Sequence, residues 1–500
     1  MSHSFYTSVH VYGSKILYRG VENGRRVRRP IEYFPTLYVP SSQPTEFTTI
    51  HGEYVAEAKP GDIRDCREFV GKYDSVENFK IYGNQKYEYT YISDNFPDDI
   101  DWDVNLITVC NIDIEVGSEN GFPDPATASE PITAITFKTA KKFVVLGCGT
   151  FNNSRDDVRY VRCSDEIDLI KRFIDEWTGD YPDIITGWNV KFFDIPYLVN
   201  RITKLMGEEF VRRLSPWNRL SERIVVIMGR DQKTFLPLGI SVLDYIELYK
   251  KFAPGGMSQD SYKLDAICNV ELNERKLSYE EYGSLHTLYK DNYQLFIEYN
   301  IRDVELVDKL DDKLKLIELA LTLAYDSKSN YDDVFQQTRM WDSIIYNKLK
   351  KKNIVVPPIS KHKKDAAYIG AYVKDPQVGL HKWVASLDLN SLYPHLIMQF
   401  NISPEMLVEH KDYTPAMRAI FSSGVDIDRL LEGKCDTSAL KCEKVTLTPN
   451  GQFFRINKQG FLAEIMEEMY NDRTVYKKKS IEAKKELEQV IAEIERRKKL

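Results

Sequence analysis

At 500 residues, with 43% hydrophobic, 29% charged and 12% aromatic side chains, the chain is long enough for roughly three domains and a sizeable buried core. No run of about 18 apolar residues and no basic-then-apolar opening pattern is present, which argues against a membrane-spanning helix and a secretion signal. The net charge of −7 does not by itself advertise nucleic-acid binding, and seven cysteines without a Cys-x-x-Cys pair fit free thiols in a reducing cytoplasm rather than a zinc cluster.

The first hundred residues carry short β patterns, including "ILYRGVENGRRVRR", where Asn23-Gly24 stands between alternating segments as a hairpin turn would. This predicts a β-rich N-terminal domain over 1–105. From 106 the pattern changes. Strands are expected at 106–116, 131–139 and 142–149, then a helix opening at Ser164 with Ile167, Ile170, Phe173, Ile174 and Trp177 on its apolar face. A further strand follows in "DIITGWNV", so residues 106–315 read as an α/β domain. Residues 316–359 are expected to return to the N-terminal domain. Trp383, Ala385, Leu387 and Leu389 alternate with Val384, Ser386 and Asp388 and predict a strand with Asp388 on its other face. After Gly460 neither Gly nor Pro occurs for forty residues, which predicts one helix of about 60 Å. Its segment from Arg473 holds ten Lys or Arg against five Glu, and Ala483, Leu487, Ile491 and Ile494 form a narrow apolar stripe.

Three acidic patterns lie in the middle domain. "LITVCNIDIEV" puts Asp113 and Glu115 on one face of a strand, either as a ligand pair for a divalent cation or as a solvated strand edge. "GWNVKFFDIPYLVNRI" holds Asp194 ahead of Pro196, which could simply be an N-cap. "IEYNIRDVELV" sets Tyr299 and Asp303 four apart on one helix face, or simply a packed Tyr beside a surface Asp. Each bland alternative is the commoner one when its pattern occurs singly. The three in this order within one α/β domain are a stronger signal than any of them.

Together they resemble the three motifs of the DEDDy proofreading 3′→5′ exonucleases. The resemblance implies an RNase H-like fold, two Mg²⁺ or Mn²⁺ ions, and hydrolysis of the terminal phosphodiester of single-stranded DNA. It implies that Asp113 bridges both ions, Glu115 and Asp303 hold the ion of the nucleophile, Asp194 supports the second, and Tyr299 orients the attacking water.

"DLNSLYP", residues 388–394, resembles motif A of the family B DNA polymerases. By that resemblance Asp388 ligates two polymerase metals and Leu389 offers its carbonyl to one. The backbone around Ser391 and Leu392 then meets a deoxynucleoside triphosphate, and Tyr393 lies beneath the sugar and rejects a 2′-hydroxyl. His395 departs from the Ser usual there. "YIGAYV" at 368–373 resembles the motif that tracks template DNA, and "GISVLDYIELYKKF" resembles the replicative polymerases of T-even-type phages. Arg473 and Lys477 match fingers residues that clasp the triphosphate.

The implied organisation is a partial palm over 360–459 and a first fingers helix over 460–500. The sequence contains no Asp-Thr-Asp. The expectation is therefore the N-terminal subunit of a split phage DNA polymerase acting on primer-template DNA in the infected bacterial cytoplasm. A second polypeptide would supply the rest of palm, fingers and thumb and the contact with the sliding clamp. The alternative is a stand-alone exonuclease or DNA-binding protein from a truncated polymerase gene.

Overall fold

The computed structural model describes residues 3–74, 76, 79–119, 121–227, 229–253, 259–358 and 373–498. Of the string at 368–373, all but Val373 lies outside them. The chain divides into two compact units, Met1–Pro40 with Ala56–Lys352, and Ser41–Val55 with Asn353–Leu500.

The first unit opens with an antiparallel sheet of β1 (Phe5–Tyr12), β2 (Lys15–Glu22) and β3 (Arg25–Glu32). Asn23 and Gly24, at φ 51° and 73°, make the tight turn between β2 and β3, the conformation in which Asn-Gly costs least.

A six-stranded mixed sheet follows. Its strands are β4 (Val109–Val116), β5 (Ile132–Lys138), β6 (Phe143–Gly147) and β7 (Arg159–Arg162), then, after helix α1 (Glu166–Gly179), β8 (Ile184–Thr186), and, after helix α2 (Asp194–Met206), β9 (Ser241–Val242). The order across the sheet is β7-β6-β5-β4-β8-β9. β4, β5 and β6 run antiparallel, and β7, β8 and β9 are added in parallel. The Asp165 side chain caps α1 by accepting the Asp168 N–H at 2.8 Å. On α1 the buried face is Leu169, Ile170, Phe173, Ile174 and Trp177. The expected Ile167 is instead 42% exposed, because Leu169, four residues before Phe173, is the first-turn side chain that falls on the stripe.

The other face of the sheet is covered by α3 (Tyr293–Leu314), whose Phe296, Ile297, Ile301 and Val304 pack with Ala134, Phe143 and Val145. Helix α4 (Leu316–Ser327) then carries the chain back beside β1. There the Asn330 amide pairs with both the N–H and the carbonyl of Val9 at 2.9 Å, and the Tyr325 hydroxyl donates to the Tyr6 carbonyl at 2.8 Å.

In the second unit, α5 (Leu392–Phe400) packs on α6 (Phe461–Lys498), with His395 edge-on to Tyr470 at 4.7 Å. Asn401 and Glu405 anchor the root of α6 by accepting the N–H groups of Gly460 and Phe461 at 2.8 and 2.7 Å. At 38 residues, α6 is about 57 Å long. The strand expected over 383–390 does not form. Trp383 takes φ 57°, and Trp383 and Leu387 are 100% and 95% exposed. Alternation alone does not make a strand, since its backbone groups need a neighbouring ladder. Among the described residues, none pairs with 383–390.

Candidate active site

Alternation along β4 sends Cys110, Ile112 and Ile114 into the core shared with α1, and turns Asp113 and Glu115 toward α3. Asp303, buried on α3, meets them there. Ligand oxygens of Asp113, Glu115 and Asp303 lie within 4.8 Å of one another. Among the described residues, this is the one group of three or more potential metal ligands brought so close.

Asp194 arrives through a gap in the sheet. β8 pairs with β4 only over Val109–Asn111, so the edge of β4 is uncovered beyond it. At Gly187 the chain leaves the sheet with φ 151°, and a Cβ there would stand 2.4 Å from the Ile112 carbonyl oxygen. The following loop is held by Asp244, which accepts the Asn189 and Lys191 N–H groups at 3.1 and 3.0 Å. Phe193, not Asp194, is the N-cap of α2. The freed Asp194 Oδ1 accepts the Ile114 N–H at 2.9 Å, which places this carboxylate between Asp113 and Glu115 in chain order.

Burial and mutual repulsion act together here. Burial, then the charges of Asp194, Glu115 and Asp303, holds the Asp113 carboxyl well above its ordinary range. Glu115 is pushed up to about 8 by burial and by Asp303, and Asp194 to about 7 by burial against the opposing Ile114 hydrogen bond. Lys276 is the counter-charge. Its Nζ donates to Asp303 Oδ2 at 2.5 Å and to the Tyr299 hydroxyl at 3.0 Å. Burial alone would lower the Lys276 pKa, but Asp303 and Tyr299 raise it, so the ammonium stays charged. The Tyr299 phenol is driven up by burial and by Asp303, which makes it a poor base.

One ammonium does not balance this cluster, and the buried Asp303 Oδ1 has no hydrogen-bond partner among the described residues. Three or four carboxylates with an oxygen left over are a donor set suited to a hard divalent cation.

Two residues the sequence reading did not single out belong to the site. Lys276 lies in an irregular segment with no periodicity to flag it. Asn300 donates from Nδ2 to Asp113 Oδ2 at 2.5 Å, and its place beside Tyr299 on α3 was the available signal.

The second set of expected residues sits in the other unit. Asp388 and Leu389 lie in the exposed, irregular segment before α5. Ser391 adopts φ 52°, and Leu392 and Tyr393 open α5. Arg473 Nη1 donates to Ser391 Oγ at 3.4 Å. Arg473 and Lys477 are both exposed, one turn apart on α6.

Comparison with known families bears on both parts of the chain. The profile of the DNA polymerase family B exonuclease domain matches residues 65–267, and that of DNA polymerase family B matches residues 332–497. The chain belongs to the family B DNA polymerases and includes their exonuclease domain. The DNA-directed DNA polymerase of Escherichia phage RB69 is 33% identical over 503 aligned residues, covering 95% of this chain and 54% of that protein. The DNA-directed DNA polymerase of Enterobacteria phage T4 is 30% identical over the same share of each. The DNA polymerase delta catalytic subunit of Schizosaccharomyces pombe is 24% identical over 76% of this chain and 34% of its own. The chain thus spans about half the length of the phage relatives it matches.

Proposed function

We propose that the first unit is a 3′→5′ exodeoxyribonuclease of RNase H-like fold, using Mg²⁺ or Mn²⁺ to hydrolyse the terminal phosphodiester of single-stranded DNA. The observation that carries the reading is the convergence of Asp113, Glu115 and Asp303 within 4.8 Å. These three, with Asp194, are the residues that hold two ions. When bound, the ions supply neutralisation of the phosphate and of the charge that develops on its oxygens.

The chain's own residues do the rest. Asn300 and the Ile114 N–H fix two of the carboxylates, so little reorganisation is left for the reaction. Tyr299, held through its hydroxyl by Lys276, orients the attacking water without taking its proton. Phe122 is 87% exposed and lies 5.6 Å from the Phe193 ring, next to Asp194. It offers a face on which a base of an unpaired strand can stack.

The second unit contributes half of a polymerase site. Asp388 and the Leu389 carbonyl are its metal ligands, the Ser391 and Leu392 backbone and the cations Arg473 and Lys477 receive the triphosphate, and Tyr393 tests the sugar. A second catalytic carboxylate, which residues 1–500 do not supply in an Asp-Thr-Asp motif, is needed to complete it.

The exonuclease reading is tested with the purified chain and 5′-labelled single-stranded DNA. In Mg²⁺ it should produce a ladder shortened from the 3′ end, with frayed ends degraded before paired ones. Asp113→Ala, folded by circular dichroism, should lose nearly all hydrolysis. Retention of more than a few per cent would overturn the metal assignment.

A further inference from the structure

Helix α3 presents three consecutive contacts to the cluster, because Tyr299, Asn300 and Asp303 fall on the same side at helical spacing. Tyr299 and Asp303 are accounted for above. Asn300 is fully buried at the centre of this face, as is Thr136 on β5, the strand beside β4. In the register of that pair Thr136 stands directly opposite Asp113.

The Asn300 amide is used at both ends. Its Oδ1 is joined by a short hydrogen bond to the Thr136 hydroxyl, which donates, and its Nδ2 donates to Asp113 Oδ2 at 2.5 Å. The direction of this chain is fixed by chemistry. In the cation-binding state Asp113 is ionised and can only accept, so the amide must turn its NH₂ toward it. Its oxygen is then left facing Thr136, and the threonine hydroxyl is the group that can satisfy it.

We propose that Thr136 and Asn300 form a buried positioning relay that locks the Asp113 carboxylate in one orientation for cation binding. This rests on the exonuclease site proposed above. The relay occupies one oxygen of Asp113 and leaves the other for the ion. A neutral amide suits this role because it supplies a hydrogen bond without the positive charge that would compete with a cation. A fixed ligand loses less freedom when the ion arrives, and groups that orient metal ligands in this way are worth about 10–100-fold in affinity. Neither residue touches substrate in this role. Both act through Asp113.

The test measures Mn²⁺ binding to the full chain, without DNA, by calorimetry and by the electron paramagnetic resonance signal of free Mn²⁺. Asn300→Leu removes the donor at similar volume. Thr136→Val removes the hydroxyl at similar shape, and Thr136→Ser restores it. Asn300→Leu should weaken binding by about 10–100-fold and Thr136→Val by on the order of tenfold, while Thr136→Ser binds close to the parent chain. A merely structural role for Thr136 would make Val the better replacement and Ser the worse. Should Asn300→Leu fail to fold, the Thr136→Val and Thr136→Ser pair carries the test alone. Asp113→Ala is run beside them. If it abolishes Mn²⁺ binding while Thr136→Val binds like the parent, the relay is overturned and the site stands. If Asp113→Ala itself binds like the parent, the site reading falls and the relay with it.

Discussion

Lys276 places its ammonium 2.5 Å from Asp303 Oδ2 and 3.0 Å from the Tyr299 hydroxyl, so one side chain joins a candidate metal ligand to the residue proposed to orient water. The contact neutralises part of a buried carboxylate cluster, and a divalent cation would do the same work.

That overlap makes stability and metal binding interdependent. Lys276→Met should cost the metal-free chain about 3 kcal/mol, the low end for a buried pair broken by removing one partner. Mn²⁺ should recover more of the lost stability in the variant than it adds to the parent, since it supplies the missing charge. Thermal melts in EDTA and in excess Mn²⁺ read both. An equal drop in the two conditions would show that Lys276 contributes packing alone.

Stability of the metal-free chain should depend on pH in an unusual direction. The Glu115 and Asp194 carboxyls titrate at about 8 and about 7 in the fold, against about 4 in an unfolded chain. Between those ranges the folded chain holds more protons than the unfolded one. The stability they contribute is fully present below the unfolded values and is lost as pH rises through the folded ones. In EDTA the melting temperature should therefore fall from pH 5 to pH 8, and saturating Mn²⁺ should flatten the decline by holding the carboxylates ionised. Binding of Mn²⁺ at pH 7 should release protons, measured by calorimetry in buffers of different ionisation enthalpy.

The parts of this arrangement that could be read from sequence are those with a local period. The alternation of β4 separates Ile112 and Ile114 from Asp113 and Glu115, and the four-residue step on α3 joins Tyr299 to Asp303. Of the forty residues free of Gly and Pro, Phe461–Lys498 form α6. Lys276 had no such signal, because its position is set by the tertiary packing of an irregular segment. Asn300 was hidden by its buried neighbours Ile297 and Ile301, among which a polar residue reads as a solvated position. The segment 383–390 failed in the opposite way. Its alternation is real, but a strand is a property of a pair, and no pairing partner stands beside it among the described residues.

Gly187 tests the delivery of Asp194. A methyl group there meets the Ile112 carbonyl at 2.4 Å in a backbone conformation that side chains rarely adopt. Gly187→Ala should destabilise the chain by about 2 kcal/mol or more in urea unfolding. At temperatures where the variant remains folded, exonuclease activity should still fall, since the turn sets where α2 begins. Full activity in the folded variant would mean that Asp194 does not depend on this turn.

Tyr299→Phe should be milder than Asp113→Ala. It deletes one hydroxyl and its hydrogen bond from Lys276, worth on the order of 1 kcal/mol, and leaves every candidate ligand in place. The rate of single-turnover hydrolysis should drop with Mn²⁺ affinity unchanged. A loss as complete as that of Asp113→Ala would contradict an orienting role.

The proposed polymerase half-site makes the strongest demand. Asp388 is exposed, and a single carboxylate with a carbonyl is too little to hold two ions in line with a primer terminus. The stripe of Leu487, Ile491 and Ile494 is also exposed along α6, with Leu487 at 58%. We expect synthesis only when a segment carrying an Asp-Thr-Asp motif is supplied, with a helix packed along that stripe and a palm strand beside 383–390. Leu487→Asp or Ile491→Asp should weaken association and primer extension, because the new carboxylate would be desolvated at the seam. Exonuclease activity should be spared, since Asp113, Glu115 and Asp303 belong to the first unit. Asp388→Ala should leave association intact and abolish synthesis. Hydrogen exchange offers an independent reading: amides of 383–390 should exchange quickly in the chain alone and slowly in the complex, as a ladder forms. Primer extension by residues 1–500 alone would refute the arrangement. Intact exonuclease activity with no association would instead leave the chain as a stand-alone nuclease.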